Sequence, residues 1–193
     1  AVLVGDFFFI RSFQLMIEDG SLDVLRILSN ASAVIAEGEV LQLATANNLA
    51  TTEGQYMRVI RAKTAELFAA ACEVGAVVAG RSATECKAMR DYGMNLGIAF
   101  QISDDVLDYT ASEKRLGKSI GDDFKEGKMT LPVIRAFANA SVAERYFWNR
   151  CFSGEAAQRD GSLEEAITKQ QKHDTLEGAL TEARHYAEEG KKS

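Results

Sequence analysis

Phe100-Gln101-Ile102-Ser103-Asp104-Asp105-Val106-Leu107-Asp108-Tyr109 closes a long apolar pattern with three carboxylates in five residues. On a helix, Asp104 and Asp108 lie four residues apart and project from one face, with Gln101 one turn before Asp104. Like charges at that spacing oppose helix formation by roughly 0.2–0.5 kcal/mol per pair. A divalent cation would compensate: Mg²⁺ prefers hard oxygen ligands, keeps several waters and completes its sphere with substrate phosphate. The other reading is a solvated acidic helix end, although acids suit the first turn of a helix better than the last.

The stretch downstream favours the cation. From Ser112 to Thr130 the chain carries the glycines Gly117, Gly121 and Gly127 and the cations Lys114, Arg115, Lys118, Lys125 and Lys128, which predicts a mobile charged loop. Gly-Lys occurs at Gly117-Lys118 and again at Gly127-Lys128. In each, the glycine lets backbone lie close to a ligand while the ammonium neutralises charge on it. Aspartates for Mg²⁺ followed by lysines for phosphate oxygens describe a diphosphate site. A nucleotide P-loop is excluded, because Ser112 stands where its first glycine belongs and no strand precedes it.

In this order, Phe-Gln-x-x-Asp-Asp-x-x-Asp, Leu116-Gly117-Lys118, Gly121-Asp122-Asp123 and Gly127-Lys128-x-Thr130-Leu131-Pro132 resemble the second aspartate-rich region of the all-trans prenyl diphosphate synthases, from Phe100 to Pro132. The variant Leu116 to Phe124, continuing to Pro132-Val133-Ile134, is more similar to octaprenyl and decaprenyl synthases than to farnesyl synthases. Gly38-Glu39-Val40-Leu41-Gln42 matches the family's Gly-Glu-x-x-Gln, and Lys63-Thr64 matches a pair that contacts the allylic diphosphate there. Read from the residues alone, Gly38 marks close helix packing, and a helical lysine such as Lys63 is ordinarily solvated.

The resemblance implies an all-α helical bundle of the isoprenoid synthase (trans-prenyltransferase) type, incomplete at the N-terminus and at the C-terminus, with residues 1–193 forming one prenyltransferase domain. The implied reaction is Mg²⁺-dependent condensation of an allylic diphosphate with isopentenyl diphosphate, giving a long-chain trans-polyprenyl diphosphate, a quinone side-chain precursor. Metal and lysines at the developing leaving-group charge would lower the barrier. Asp104 is then the most direct metal ligand, with Asp105, Asp108 and Asp123 acting directly or through water. Lys63, Lys118 and Lys128 hold the leaving diphosphate, and Thr64 adds a hydroxyl. Phe100 and Gln101 line the pocket near the reacting carbons, where an aromatic face stabilises cationic character. Asp104, Asp105, Asp108, Lys63 and Lys118 form the expected catalytic set, and the released diphosphate takes the final proton. A homodimer is implied, with its interface around residues 21–80.

The same family carries a first Asp-Asp-x-x-Asp motif followed by an Arg-Arg pair, and these residues contain no counterpart; Asp6 and Glu18-Asp19 do not replace it. The expectation is therefore a piece of a longer polypeptide. A non-catalytic partner subunit of a heteromeric synthase is the alternative, opposed by the full run from Asp104 to Lys128. A class I terpene cyclase fits less well, because its second metal motif spreads Asn or Asp, Ser or Thr, and Glu over a wider spacing.

The rest of the chain agrees with one helical unit. It has 193 residues, 47% of them hydrophobic, with one proline, enough to bury a sizeable core. A net charge of −6 argues against broad attraction to nucleic acid or anionic lipid. Cys72, Cys86 and Cys151 show no Cys-x-x-Cys spacing, so a reducing cytoplasm is the simplest setting. The apolar run Ala1 to Ile10 is short of the ~20 residues of a membrane span and is expected to be a buried helix. No transmembrane segment is read, although a long-chain product would bring the protein near membranes. Ser21 is the predicted N-cap of a helix whose core face includes Val34, Ile35, Leu41 and Leu43. Thr84 is the predicted N-cap, without a capping box, of the helix that carries the aspartates. Pro132 falls in the first turn of the next. His173 and His185 are expected at the surface. No repeat, low-complexity tract or domain linker is present.

Overall fold

Several of these helices begin where a side-chain oxygen satisfies free N–H groups of the first turn. Ser21 Oγ accepts the Val24 N–H at 3.3 Å, as expected. Thr52 and Gln55 form a reciprocal capping box, 2.8 Å one way and 3.2 Å the other. The helix bearing the aspartates is capped two residues earlier than Thr84, because Ser82 with Glu85 makes the box that Thr84 with Lys87 cannot.

A computed structural model describes residues 2–110, 120–152, 159 and 161–193. The described elements are α1 (Val2–Asp19), α2 (Leu22–Thr45), α3 (Glu53–Ile60), a π-helical turn (Arg61–Ala65), α4 (Glu66–Val78), α5 (Ala83–Thr110), α6 (Asp122–Glu126), α7 (Leu131–Ala138), α8 (Val142–Phe152), α9 (Leu163–Lys172) and α10 (Thr175–Gly190). No strand occurs among the described residues. Of the loop expected from Ser112 to Thr130, residues 112–119, Lys118 among them, lie outside the described residues, and the described remainder holds the short helix α6 rather than loop throughout.

α5, whose 28 residues span about 42 Å at 1.5 Å each, is the central helix, packed chiefly against α4, the π turn and α10. One side meets α4 and the π turn through small residues. A Cβ on Gly93 would lie 2.5 Å from the Phe68 carbonyl oxygen, and one on Gly97 would lie 2.5 Å from Ala65 Cα. The approach of α2 is equally close, since a Cβ on Gly38 would come within 2.6 Å of the Lys63 backbone nitrogen. The packing role read for Gly38 from its neighbours is thus the observed one. Ile98, Ile102 and Val106 of α5 join Tyr56 and Ile60 of α3, Leu131 and Ile134 of α7, and Phe147, Trp148 and Phe152 of α8 in the main core.

Three expectations are revised. α1 forms but buries none of its residues. Its apolar side chains run round the helix, which meets α2 only marginally, and Phe7, Phe8, Phe9 and Ile10 are exposed. On α2 the buried positions are Val24, Ile27, Ala31 and Gly38, while Leu41 and Leu43 are exposed. His173 is not free at the surface, because its Nε2 lies 3.3 Å from Glu144 Oε2 where α9 ends against the start of α8. No described helix is long and apolar enough to cross a membrane.

Glu144 gathers the α8–α9 corner. It accepts from Lys172 Nζ at 2.7 Å and from the Ser141 N–H at 2.8 Å, and Lys172 first, then Ser141, holds its carboxyl well below the usual carboxylate range. A depressed pKa stabilises the fold above the unfolded value of 4.5, and that contribution is lost as pH falls through the folded one. Glu144→Gln is therefore expected to lower the melting temperature by about 2–4 °C at neutral pH. In thermal melts followed by circular dichroism, the gap should close progressively below pH 4.5; a constant gap would contradict this account. Gly97→Ala is expected to cost about 1–3 kcal/mol in urea unfolding by forcing α5 from Ala65.

Candidate active site

The aspartates occupy the last turns of α5, and the chain returns to them through α6. Gly121 (φ 77°) and Gly127 (φ 74°) bracket α6 in left-handed conformations, which glycine adopts without a Cβ penalty. Phe124 anchors this short helix by packing edge-on against Phe152, with ring centroids 5.7 Å apart. The result brings Asp123 and Lys128 against α5. Gly121 N–H donates to the Asp108 carbonyl at 2.9 Å, and Asp123 N–H donates to the Asp108 carboxylate at 3.1 Å.

Asp105 and Asp104 are neighbours in sequence with opposite environments. Asp105 is fully buried and accepts hydrogen bonds from Tyr56 Oη at 2.7 Å, Gln101 Nε2 at 2.9 Å and Lys128 Nζ at 2.8 Å. Burial pushes its carboxyl pKa up, and the Lys128 charge works against that rise. Lys128 also reaches Asp123 at 2.9 Å; burial disfavours its ammonium, but the two carboxylates outweigh this and hold it protonated. Two of the three ammonium donors are thus committed, and one is left for an anion. Asp104 is exposed, with Gln101 Nε2 at 3.5 Å. Asp108 is half-buried, and burial with the Asp123 charge raises its pKa to about 6.

Lys63 and Thr64 stand in the π-helical turn. Lys63 pairs with Glu39 at 3.1 Å, across the contact that Gly38 permits. Thr64 donates to Gln101 Oε1 at 2.7 Å, so Gln101 bridges Thr64 to Asp105. Thr64, Lys63, Gln42, Gln101 and Lys128 face a cavity of about 40 Å³, room for a few waters. Phe100 is 53% exposed and leans on Phe68, with ring centroids 5.3 Å apart.

Of the expected site residues, Thr64, Gln101, Asp105, Lys128 and Asp123 form one connected hydrogen-bonded chain. Lys63 borders the cavity; Asp104 meets the chain only at Gln101 Nε2, Asp108 meets it at the Asp123 N–H, and Phe100 is exposed. Among the described residues no three His, Cys, Asp or Glu side chains lie close enough to hold a metal alone. A cation at Asp104 and Asp108 would therefore take other oxygens from water or phosphate, which is how Mg²⁺ is usually held.

Tyr56 was legible from its spacing only as a core position. It is 49 residues from Asp105, beyond any motif, and the available signal was that a buried tyrosine hydroxyl needs a partner. Asp105 in turn raises the tyrosine pKa, after burial itself.

The polyprenyl synthetase family profile matches residues 1–170. The chain is 42% identical over 191 residues to an octaprenyl diphosphate synthase of Haemophilus influenzae, covering 97% of this chain and 56% of that relative. Among solved structures, a decaprenyl diphosphate synthase from Rhodobacter capsulatus superposes with TM-score 0.90 at 54% identity, covering 99% of this chain and 58% of that one. A polyprenyl synthase from Caulobacter crescentus, complexed with calcium and isoprenyl diphosphate, gives TM-score 0.92 at 47% identity over 98% and 58%. The chain spans somewhat more than half the length of these relatives. With an all-helical isoprenoid synthase fold and a profile match over most of its length, the chain belongs to the polyprenyl synthetase family.

Proposed function

We propose that this chain carries the diphosphate-holding half of a trans-polyprenyl diphosphate synthase, which condenses an allylic diphosphate with isopentenyl diphosphate to give a long-chain product. The observation that carries this reading is the Lys128 ammonium fixed between buried Asp105 and the partly buried Asp123, at the helix end that also exposes Asp104. The octaprenyl and decaprenyl names of the relatives support a long product, and the calcium and isoprenyl diphosphate of the Caulobacter complex support a divalent cation beside a prenyl diphosphate.

Asp104 and Asp108 would hold Mg²⁺ through carboxylate oxygens or bound water. When bound, the ion neutralises charge that grows on the leaving diphosphate. Lys128 and Lys63 bind and orient that diphosphate, and Lys118 joins them in this reading. Asp123 and Asp105 hold Lys128 in place, so Asp105 acts through the lysine and Tyr56 acts through Asp105. Thr64 fixes Gln101. Phe100 offers an aromatic face to the allylic carbons, and the released diphosphate accepts the final proton. Preorganised charges of this kind need no reorientation as the bond breaks, which is why they lower a barrier. A homodimer with its interface around residues 21–80 and a cytoplasmic setting complete the proposal, the interface supported by the exposed Leu22, Val40 and Leu43 of α2.

The test uses the natural full-length protein with farnesyl diphosphate, radiolabelled isopentenyl diphosphate and Mg²⁺, with products separated by reversed-phase chromatography. A ladder of long polyprenyl diphosphates is expected. Diphosphate binding without any condensation would favour the partner-subunit reading, and neither binding nor condensation would sink the proposal. Asp104→Asn is expected to lower kcat/KM about 10²-fold or more and raise the Mg²⁺ requirement, with an unchanged melting temperature because the side chain is exposed. Asp105→Asn should depress activity and stability together, since it disturbs a buried charge pair worth about 3–5 kcal/mol when broken. Tyr56→Phe, which removes one hydrogen bond from that buried carboxylate, is expected to cost about 1–3 kcal/mol in urea unfolding and to lower kcat.

A further inference from the structure

Behind the Gly127-Lys128 turn, on the side away from α5, a single guanidinium draws three segments together. Arg159 is 5% exposed. Its Nε donates to the Cys151 carbonyl at 2.7 Å, at the end of α8. Its Nη1 donates to the Lys125 carbonyl at 2.8 Å, in the last turn of α6, and its Nη2 donates to the Asn47 side-chain oxygen, between α2 and α3. The plane lies over Phe152, 5.5 Å from the ring centroid. Asn47, itself left-handed at φ 58°, donates its backbone N–H to the Gly127 carbonyl at 2.9 Å. A Cβ on Gly127 would sit 2.7 Å from Asn47 Cγ and 2.8 Å from the guanidinium, so this turn is seated on the Asn47–Arg159 pair.

A five-residue helix cannot hold its own position, since nucleation costs more than so few hydrogen bonds return, and its last carbonyls lack partners within the helix. Phe124 fixes where α6 lies. Arg159 supplies a partner for one of those carbonyls, and Asn47 holds the carbonyl that precedes Lys128. Only a rigid fork with several donors reaches three acceptors in different directions, which arginine provides and lysine does not.

We infer that Arg159, with Asn47, is a positioning residue for the diphosphate-binding ammonium of Lys128, clamping the Gly127-Lys128 turn from behind. The inference rests on the proposed role of Lys128. It is tested in the natural full-length protein by titrating inorganic diphosphate in the presence of Mg²⁺ and following the heat of binding. The proteins compared are the parent, Arg159→Gln, Lys128→Ala and the double variant. Arg159→Gln is expected to weaken binding about tenfold to a hundredfold in the parent and to add nothing once Lys128 is alanine. Arg159→Lys should show most of the same loss, because one ammonium cannot replace the fork. Equal losses in both backgrounds, which a merely structural role would give, or no loss in the parent, would overturn the inference. If Arg159→Gln does not fold, Asn47→Ala takes its place in the same four-way comparison. If Lys128→Ala leaves diphosphate affinity unchanged, the diphosphate reading itself fails and the inference falls with it.

Discussion

A carboxylate with no access to water, facing an ammonium, is the constraint that organises this molecule. Taking Asp105 out of solvent costs several kcal/mol unless its oxygens are fully hydrogen-bonded, and three donors arrive to meet them, from α3, from α5 itself and from the turn after α6. Two of these donors, Tyr56 and Lys128, tie separate elements to the end of α5. The arrangement that removes the burial penalty also fixes the geometry of Lys128. Folding and the placement of that ammonium draw on the same three hydrogen bonds.

The division of labour among the carboxylates follows from the helix. Neighbouring residues on an α-helix point about 100° apart, so Asp104 and Asp105 cannot share an environment. Ile98, Ile102, Asp105, Val106 and Tyr109 make one buried stripe, and Asp105 is its polar member. Asp104 and Asp108 take the neighbouring face, where Asp104 is open to solvent and Asp108 stays half-covered beneath the Asp123 backbone. A motif written as a string of letters treats the aspartates alike; burial separates one held by the protein from others available to a ligand.

Much of this was readable from residue patterns. The order of Gln101, the aspartates and Gly127-Lys128 picked out side chains that the fold joins by hydrogen bonds, and Gly38 marked a close helix contact. What was not readable depends on chain segments meeting across long separations. Tyr56 carries its hydroxyl to Asp105, Glu39 pairs with Lys63, and Arg159 gathers Asn47 and Lys125; none of these pairs has a spacing that periodicity can detect. α1 failed as a core helix for a different reason: apolar content shows that a surface can be buried, but not which neighbour covers it.

The π-helical turn at Arg61–Ala65 solves a problem of phase. Val59, Glu66 and Ala70 are also buried in this stretch, but the positions that meet the main core and α5 are Tyr56, Ile60, Ala65 and Ala69, steps of four, five and four residues. An unbroken α-helix turns about 100° per residue, so the step of five would swing the second half of the seam roughly 140° away from the first. The wider turn absorbs much of that rotation. Tyr56 and Ile60 can then face the Asp105 side of the core while Ala65 and Ala69 stay against Gly97 and Gly93 of the same partner helix. The residues that make the correction include Lys63 and Thr64, so the turn that reconciles two packing registers also brings a lysine and a threonine out of the helical lattice toward the cavity.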